Sequence, residues 1–301
     1  MDSQDSDSLS TRSIHNAILE LAEAAVVSAG KHAKQMQSHL QAMPRSMGRE
    51  QAEAIAATCL EIITDQIHEV FPRHGFISEP DFEGAFSEFT WYVNPLDGIT
   101  NYLHGIPLWG LSVAFCIRGK PAVAAVCLPS LDETYVATAD GPAQCNGRPI
   151  FVSDTRNPKQ ALVLNGDFNT TKDLEIRNHL NEAGIAMREV HAATFHRVRC
   201  HGSPCVEAAW VACGRVDAYA MLRCPPRDVA AGVLLVERAG GVATGVDGSP
   251  WNPEVKHALL SNKALHGYII DTYTPWKRDQ IQEISPHTMM DHPSTSSMRF
   301  A

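Results

Sequence analysis

The sequence predicts a mixed α/β protein whose first half is α+β and whose second half is α/β. Two long helical patterns precede a set of strand-like segments in residues 13–155. In residues 156–275, short apolar segments and helical patterns alternate, which is typical of an α/β arrangement. Residues 1–12 are polar and acidic, and residues 276–301 are rich in Ser, Pro and His. We expect a disordered N-terminal tail and a flexible C-terminal tail.

The first half begins with two predicted helices. Residues 13–41 place apolar side chains at helical spacing, which gives the segment one apolar face. These side chains are Ile14, Ile18, Leu19, Leu21, Ala25 and Val26. A polar break over residues 43–48 separates this helix from a second one, predicted over residues 49–70. The Phe-Pro-Arg-His-Gly turn at residues 71–75 ends it.

The strands of the first half are predicted to form a largely antiparallel sheet. Residues 111–118 and 122–128 are apolar runs joined by Gly119 and Lys120, which indicates a hairpin. Further strands are predicted over residues 76–77, 91–93, 133–138 and 149–152, with a Cys-Asn-Gly turn at residues 145–147 between the last two.

The second half is predicted to alternate strands with helices. Strands are expected over residues 161–164, 216–221 and 242–244, and helices over residues 173–183, 205–213 and 228–239. The last helix has the clearest apolar face, and Gly240 and Gly241 follow it as a helix stop.

Composition excludes two classes of partner. The net charge is -9, so the chain lacks the basic surface by which proteins bind nucleic acid. The longest apolar runs, at residues 111–117 and 121–128, are far shorter than a membrane span. The N-terminus has no basic start followed by an apolar core, so we expect a cytoplasmic protein.

The segment Trp91 to Pro107 is the most informative part of the chain. It reads WYVNPLDGITNYLHGIP and runs from an apolar strand into a tight turn that carries an acidic residue. Its centre resembles the metal-binding signature of the inositol monophosphatase family, D-P-[IL]-D-G-T-x-N. Asn94 stands at the first aspartate of that signature, and Ile99 stands at its threonine.

Other segments resemble further blocks of the same family, in the same order along the chain. They cover residues 71–79, 141–147, 199–207, 216–219, 227–232 and 237–241. The resemblance extends over residues 14–272. It implies a layered α/β/α/β/α sandwich that forms a homodimer and holds magnesium between its two halves.

The resemblance implies Mg²⁺-dependent hydrolysis of a small phosphorylated polyol or sugar. Such hydrolysis needs positive charge on the phosphoryl oxygens, and Mg²⁺ supplies that charge while preferring hard oxygen ligands. By motif position, the implied metal ligands are Glu79, Asn94, the Leu96 carbonyl, Asp97 and Asp228. Asp97 and Asn94 are also the implied catalytic residues. The implied substrate and phosphate contacts are Gly98, Ile99, Ser203 and Arg227.

Two departures from the signature predict weakened catalysis. Asn94 has no formal charge, and an amide bridges two metals poorly, so Mg²⁺ binding should weaken. Ile99 replaces the threonine that orients the attacking water in the family. The aspartate that partners this threonine falls at about Ala56, where no acid stands. Both members of the water-activating pair are therefore missing.

Two further departures affect the surroundings of the predicted site. Met221 stands where many family members carry a glutamate that binds a polyol hydroxyl. Arg227 replaces the tryptophan before Asp228. An arginine at this position is able to bind phosphate or to substitute for missing metal charge.

Each of these residues also has a plain structural interpretation. Asp97 before glycine is a common turn residue, and Asn94 before proline is another. Asp228 opens a helix and would serve there as an N-cap or first-turn acid. Glu79 is also compatible with a solvated loop, and Arg227 with a surface charge.

Three functions remain open at this stage. The first is a Mg²⁺-dependent phosphatase of reduced activity. The second is a repurposed enzyme that performs a non-hydrolytic step on a small, less polar molecule. The third is a catalytically inactive partner subunit of an active relative.

Overall fold

A computed structural model describes residues 3–41, 45–79, 87–167 and 174–273. Within these ranges, the chain forms α-helices and two β-sheets. The predicted C-terminal tail, residues 276–301, lies outside them. None of the described helices has the length and apolar content that crossing a lipid bilayer requires.

Two long helices form the first layer. Helix α1 spans Ser3–Gln41 and helix α2 spans Arg45–Val70. Val26 of α1 and Ile63 of α2 are fully buried against the first sheet. The apolar pattern predicts a start at Ser13, whereas α1 includes ten residues before that point. The division of the chain at residues 12, 155 and 275 stays a prediction.

The first sheet has seven strands in sequence order. They are β1 (Gly75–Ile77), β2 (Phe89–Asp97), β3 (Gly110–Ile117), β4 (Lys120–Leu128), β5 (Glu133–Thr138), β6 (Gln144–Cys145) and β7 (Arg148–Pro149). The first pair is parallel and the others are antiparallel. Between β2 and β3 lies the short helix α3, Ile99–His104.

Two predicted hairpins differ from the structure in detail. The β3–β4 turn consists of Arg118 and Gly119, both at positive φ as a type I′ turn requires, so Lys120 already belongs to β4. The strand predicted over residues 149–152 is wrong beyond Pro149. The amide of Val152 bonds instead to the carbonyl of Ala239, beyond the end of a helix in the second half.

The second half contributes a mixed five-stranded sheet and four helices within the described residues. The strands are β8 (Leu162–Asn165), β9 (Arg197–Arg199), β10 (Ala218–Met221), β11 (Val242–Thr244) and β12 (Ala258–Ser261), in the order β11-β12-β10-β8-β9. The helices are α4 (Leu174–Thr194), α5 (Pro204–Ala212), α6 (Pro226–Arg238) and α7 (His266–Tyr273). Helix α4 is longer than the predicted 173–183, and β12 and α7 were not predicted.

Three apolar clusters show how the layers are stacked. The first joins α1 and α2 to one face of the first sheet. The second contains Ala124 of β4, Ala209 of α5, Leu234 of α6 and Tyr219 of β10, so α5 and α6 lie between the two sheets. The third joins the outer face of the second sheet to α4 and α7. The predicted α/β/α/β/α sandwich is confirmed.

Candidate functional site

The end of strand β2 places two polar side chains inside the protein. Asn94 pairs with Ser112 of β3 and Asp97 pairs with Gly110, and the register shifts between these two pairs. Such a bulge redirects side chains, and Pro95 within it has no amide hydrogen to give to a ladder. Asn94 is 3% exposed and Asp97 is 6% exposed, so both side chains require internal partners.

The carboxylate of Asp97 joins the first sheet to the middle layer. Its Oδ2 accepts the hydroxyl of Ser203 at 2.7 Å and the backbone amide of Cys205 at 2.8 Å. Ser203 is the N-cap residue of α5, but its hydroxyl does not cap that helix. Asp97 therefore satisfies a first-turn N–H of α5 from outside the helix, where a negative charge is favourable.

The side-chain amide of Asn94 bridges two acids that lie 131 residues apart in the chain. Its Nδ2 donates to Oδ1 of Asp97 at 3.2 Å and to Oδ1 of Asp228 at 2.9 Å. Ionised carboxylates accept hydrogen bonds and cannot donate them, so the nitrogen rather than the oxygen of the amide faces both acids. Asp97, Asn94 and Asp228 are thus brought together as the sequence predicts.

Helix α6 positions Asp228 and Arg227. Pro226 occupies the start of the helix, and Asp228 lies in its first turn. The N-cap residue of this helix is Pro225, so the N-cap interpretation of Asp228 is wrong while the first-turn interpretation is confirmed. Arg227 places Nε 3.4 Å from Oδ1 of Asp228 and donates from Nη1 to the carbonyl of Ser78, just beyond β1.

Burial raises the pKa of Asp228 to about 7, and the negative charge of Asp97 acts in the same direction. Arg227 and the hydrogen bond from Asn94 oppose this rise because they favour the charged carboxylate. The acid pair therefore lies in an environment that penalises two negative charges at close range.

Gly98 allows the turn after β2 to lie against α5. Its φ is +73°, in the left-handed region. A Cβ at this position would lie 2.9 Å from the carbonyl oxygen of Leu108 and 3.0 Å from Cβ of Ser203. Gly98 and Ser203, both predicted to contact the substrate, are therefore neighbours. Gly98 is also the N-cap residue of α3, and glycine has no side chain with which to cap the helix.

Ile99 and Ala56 pack against the same hydrophobic cluster, which lies between the first two helices and the first sheet. Side chains of this kind can neither orient nor deprotonate a water molecule. The two positions at which the resemblance implies a water-activating pair are thus used for apolar packing.

Glu79 does not join the acid pair. It is exposed, and no three or more His, Cys, Asp or Glu side chains in the described ranges are grouped so that they could hold a metal ion. The described side chains that meet at the end of β2 include only two carboxylates, and the amide nitrogen of Asn94 faces both of them. This donor set does not fit the multi-carboxylate magnesium centre that the resemblance implies. The roles of Glu79 and of the Leu96 carbonyl as ligands stay predictions.

Two residues without a predicted role hold the loop before Ser203. Asn101 of α3 donates from Nδ2 to the carbonyls of Leu108 and His201, both at 2.6 Å. Glu207 of α5 accepts the amide of His201 at 2.8 Å. The backbone of His201 is therefore held at both its N–H and its C=O group.

Glu207 was not predicted as a site residue, although its position in the sequence sets it apart. It is an acid within an otherwise apolar helix, and its side chain is fully buried. Burial raises its pKa to about 8, although the hydrogen bond from the His201 amide favours the charged form. Glu207 is therefore held largely neutral at neutral pH.

Met221 ends strand β10 with an apolar side chain. Its sulfur accepts the hydroxyl of Tyr219 at 2.9 Å. A Cβ on Gly166 would lie 2.7 Å from Cγ of Met221, so the two residues are in close contact.

Comparison with known proteins identifies the family. The family model described as "Inositol monophosphatase family" matches residues 12–275. Phosphatase IMPL1, chloroplastic, of Arabidopsis thaliana is 34% identical over 238 residues, which are 74% of this chain and 60% of that protein. The match thus spans less than two thirds of that relative. Fructose-1,6-bisphosphatase/inositol-1-monophosphatase of Thermotoga maritima is 30% identical over 211 residues, covering 69% of this chain and 77% of that protein.

A solved structure extends the likeness to three dimensions. The inositol monophosphatase from Anabaena (Nostoc) sp. superposes with a TM-score of 0.74 at 30% identity, covering 86% of this chain and 96% of that one. It has the same layered fold as the chain described above. The chain therefore belongs to the inositol monophosphatase family.

Proposed function

We propose that this chain acts on a small phosphorylated polyol or sugar as a phosphomonoesterase of low activity. The observation that carries the proposal is the convergence of Asp97 and Asp228 on Asn94, at the position of the family signature. The named relatives, which are phosphatases, support the reaction class.

The same geometry is the reason for low activity. Hydrolysis of a phosphate ester depends on positive charge directed at the phosphoryl oxygens and on a positioned water. Arg227 supplies a permanent positive charge next to Asp228. Asn94 is neutral, and Ile99 cannot orient water. Because the donor set does not fit the family's magnesium centre, no step is assigned to that ion.

Phosphate release from a panel of phosphorylated polyols and sugars tests the proposal, with and without Mg²⁺ or Mn²⁺. We expect slow release by the native chain and none by Asp97→Ala. The double variant Asn94→Asp with Ile99→Thr is expected to release phosphate faster with Mg²⁺. Asp154→Ala is a matched control because Asp154 is an exposed aspartate outside the site. The absence of release from every native reaction would contradict the proposal.

A second candidate function is a non-hydrolytic step on a small, less polar molecule. The observation that favours it is that Ile99 and Met221 are apolar where the family signature and many family members carry polar side chains, while protein donors hold the acid pair. Mass spectrometry of the same panel would detect substrate conversion without phosphate release. An unchanged substrate in every reaction would contradict this candidate.

A further inference from the structure

We infer that Asn94 and Arg227 take the place of a divalent cation at the Asp97–Asp228 pair. The inference concerns the site of the proposed function and deepens that proposal. It describes how the acid pair is held, so it is tested by cation binding rather than by turnover.

The position of the Asn94 amide is the first observation that supports this inference. Two carboxylate oxygens, one from Asp97 and one from Asp228, lie within hydrogen-bond distance of a single nitrogen. Two carboxylates at such a separation repel each other unless a positive or hydrogen-donating group lies between them. Here that group is the Nδ2 of Asn94, whose two hydrogens suffice for the two acids.

The other hydrogen bonds of the two carboxylates are the second observation that supports it. Oδ2 of Asp97 already accepts from Ser203 and from the amide of Cys205. Three of the four carboxylate oxygens therefore have protein donors within the described part of the chain. A Mg²⁺ ion demands about six oxygens in near-octahedral geometry. It would have to displace these donors and turn the Asn94 nitrogen away, since the amide hydrogens would face the ion.

The third observation is that the positive charge of Arg227 is held in place beside the acid pair. Its Nη1 donates to the carbonyl of Ser78, which is 149 residues away in the chain, while Nε faces Asp228. The guanidinium carries a delocalised positive charge, which lies beside the Asp228 carboxylate. It offsets part of the negative charge that a cation would otherwise neutralise.

Titration of Mg²⁺ into the chain by isothermal calorimetry, together with melting curves in EDTA and in millimolar Mg²⁺, tests the inference. The native chain is expected to show no saturable binding in the millimolar range and no rise in Tm. Asn94→Asp replaces the bridging donor by a third carboxylate. It is expected to bind Mg²⁺ about tenfold or more tightly and to melt higher in Mg²⁺ than in EDTA.

A second variant keeps the test decisive if Asn94→Asp does not fold. Arg227→Met keeps an unbranched apolar side chain and removes the fixed charge, so its Tm is expected to rise with Mg²⁺ whereas the native Tm does not. Asn157→Asp is the matched control because it makes the same exchange at an exposed position outside the site, and it should behave as the native chain does.

Saturable Mg²⁺ binding by the native chain, as tight as in the variants, would overturn the inference. So would a failure of both folded variants to gain Mg²⁺ binding. These experiments measure Mg²⁺ binding and Tm and not phosphate release. Their results can therefore be interpreted even if the proposed hydrolysis is not observed.

Discussion

Asparagine and aspartate have nearly the same shape, but at position 94 they would produce opposite electrostatics. An aspartate would be a third carboxylate beside Asp97 and Asp228 and would require a cation. The amide of Asn94 instead donates one hydrogen bond to each acid. A single exchange of an oxygen for an NH₂ group thus turns a repulsive cluster into a hydrogen-bonded one.

Gly98 is a second residue at which one atom decides the local structure. Gly98→Ala is expected to lower the free energy of unfolding by about 2 kcal/mol or more. One cause is the left-handed φ of +73°, and the other is the approach of the new Cβ to the carbonyl of Leu108 at 2.9 Å and to Ser203. Urea unfolding measures this loss.

Gly147→Ala is the matched control for this prediction. Gly147 has nearly the same φ, +74°, but a Cβ there would meet no atom within 4 Å. Its cost should therefore be that of the backbone strain alone, about 1 kcal/mol. Equal losses in the two variants would show that the contact with Leu108 and Ser203 is unimportant.

At the scale of elements, α3 and α5 are connected through the loop that carries Ser203. Asn101 holds the carbonyl of His201 from one side, and Glu207 holds its amide from the other. The same loop leads to the Ser203 hydroxyl that bonds Asp97. A buried acid in α5 thus fixes the position of a group in the candidate site, although Glu207 itself contacts neither acid in the described hydrogen bonds.

The buried Glu207 predicts a pH-dependent loss of stability. Burial raises its pKa from 4.5 to about 8, so the folded protein binds this proton more tightly than the unfolded chain does. The associated stability is fully present below about pH 4.5 and is lost as the pH rises through about 8. A difference of this size corresponds to a contribution on the order of 5 kcal/mol.

Glu207→Gln removes this titration while retaining an oxygen for the His201 amide. We expect the variant to become more stable relative to the native chain as the pH is raised from 5 to 9, by several kcal/mol. Urea unfolding across that range measures the difference. Glu182→Gln, which replaces an exposed acid of α4, should follow the native curve. Parallel curves for Glu207→Gln and the native chain would contradict a neutral, buried Glu207.

At the scale of the whole molecule, sequence patterns predicted elements with a clear apolar pattern better than the others. Helix α6 has a clear helical apolar face and strands β3 and β4 are long apolar runs, and the bounds of these elements and of β5 differ little from the predicted ones. The segment 149–152 failed because the Val152 amide bonds to Ala239, a contact that no local pattern reveals. Strand β12 has few residues and depends on pairing with β10 and β11.

The candidate site shows the same limit. The motif resemblance was sufficient to bring Asp97 and Asp228 together, because it fixed their places in the layered fold. It could not show that the nitrogen of Asn94 bonds both acids, or that Arg227 reaches Ser78. The Asn94–Asp228 and Arg227–Ser78 contacts join segments more than a hundred residues apart, so they follow only from the assembled layers.

The middle layer provides the final prediction, because α5 and α6 pack on both sheets. At their crossing, a Cβ on Gly232 would lie 2.3 Å from Cβ of Ala208. Alanine is favoured over glycine in a helix by about 1 kcal/mol. Gly232→Ala is nevertheless expected to lower the free energy of unfolding by about 2 kcal/mol, since close-packed helices tolerate added volume poorly.

Gly184→Ala on α4 separates helix propensity from packing, because a Cβ there meets no atom of the described residues within 4 Å. It should raise the free energy of unfolding by about 0.5 to 1 kcal/mol. The two substitutions are chemically identical and are expected to act in opposite directions in urea unfolding followed by circular dichroism. If Gly232→Ala also stabilised the protein, the close contact between α5 and α6 would be wrong. The layer that connects the two sheets would then leave room for a methyl group.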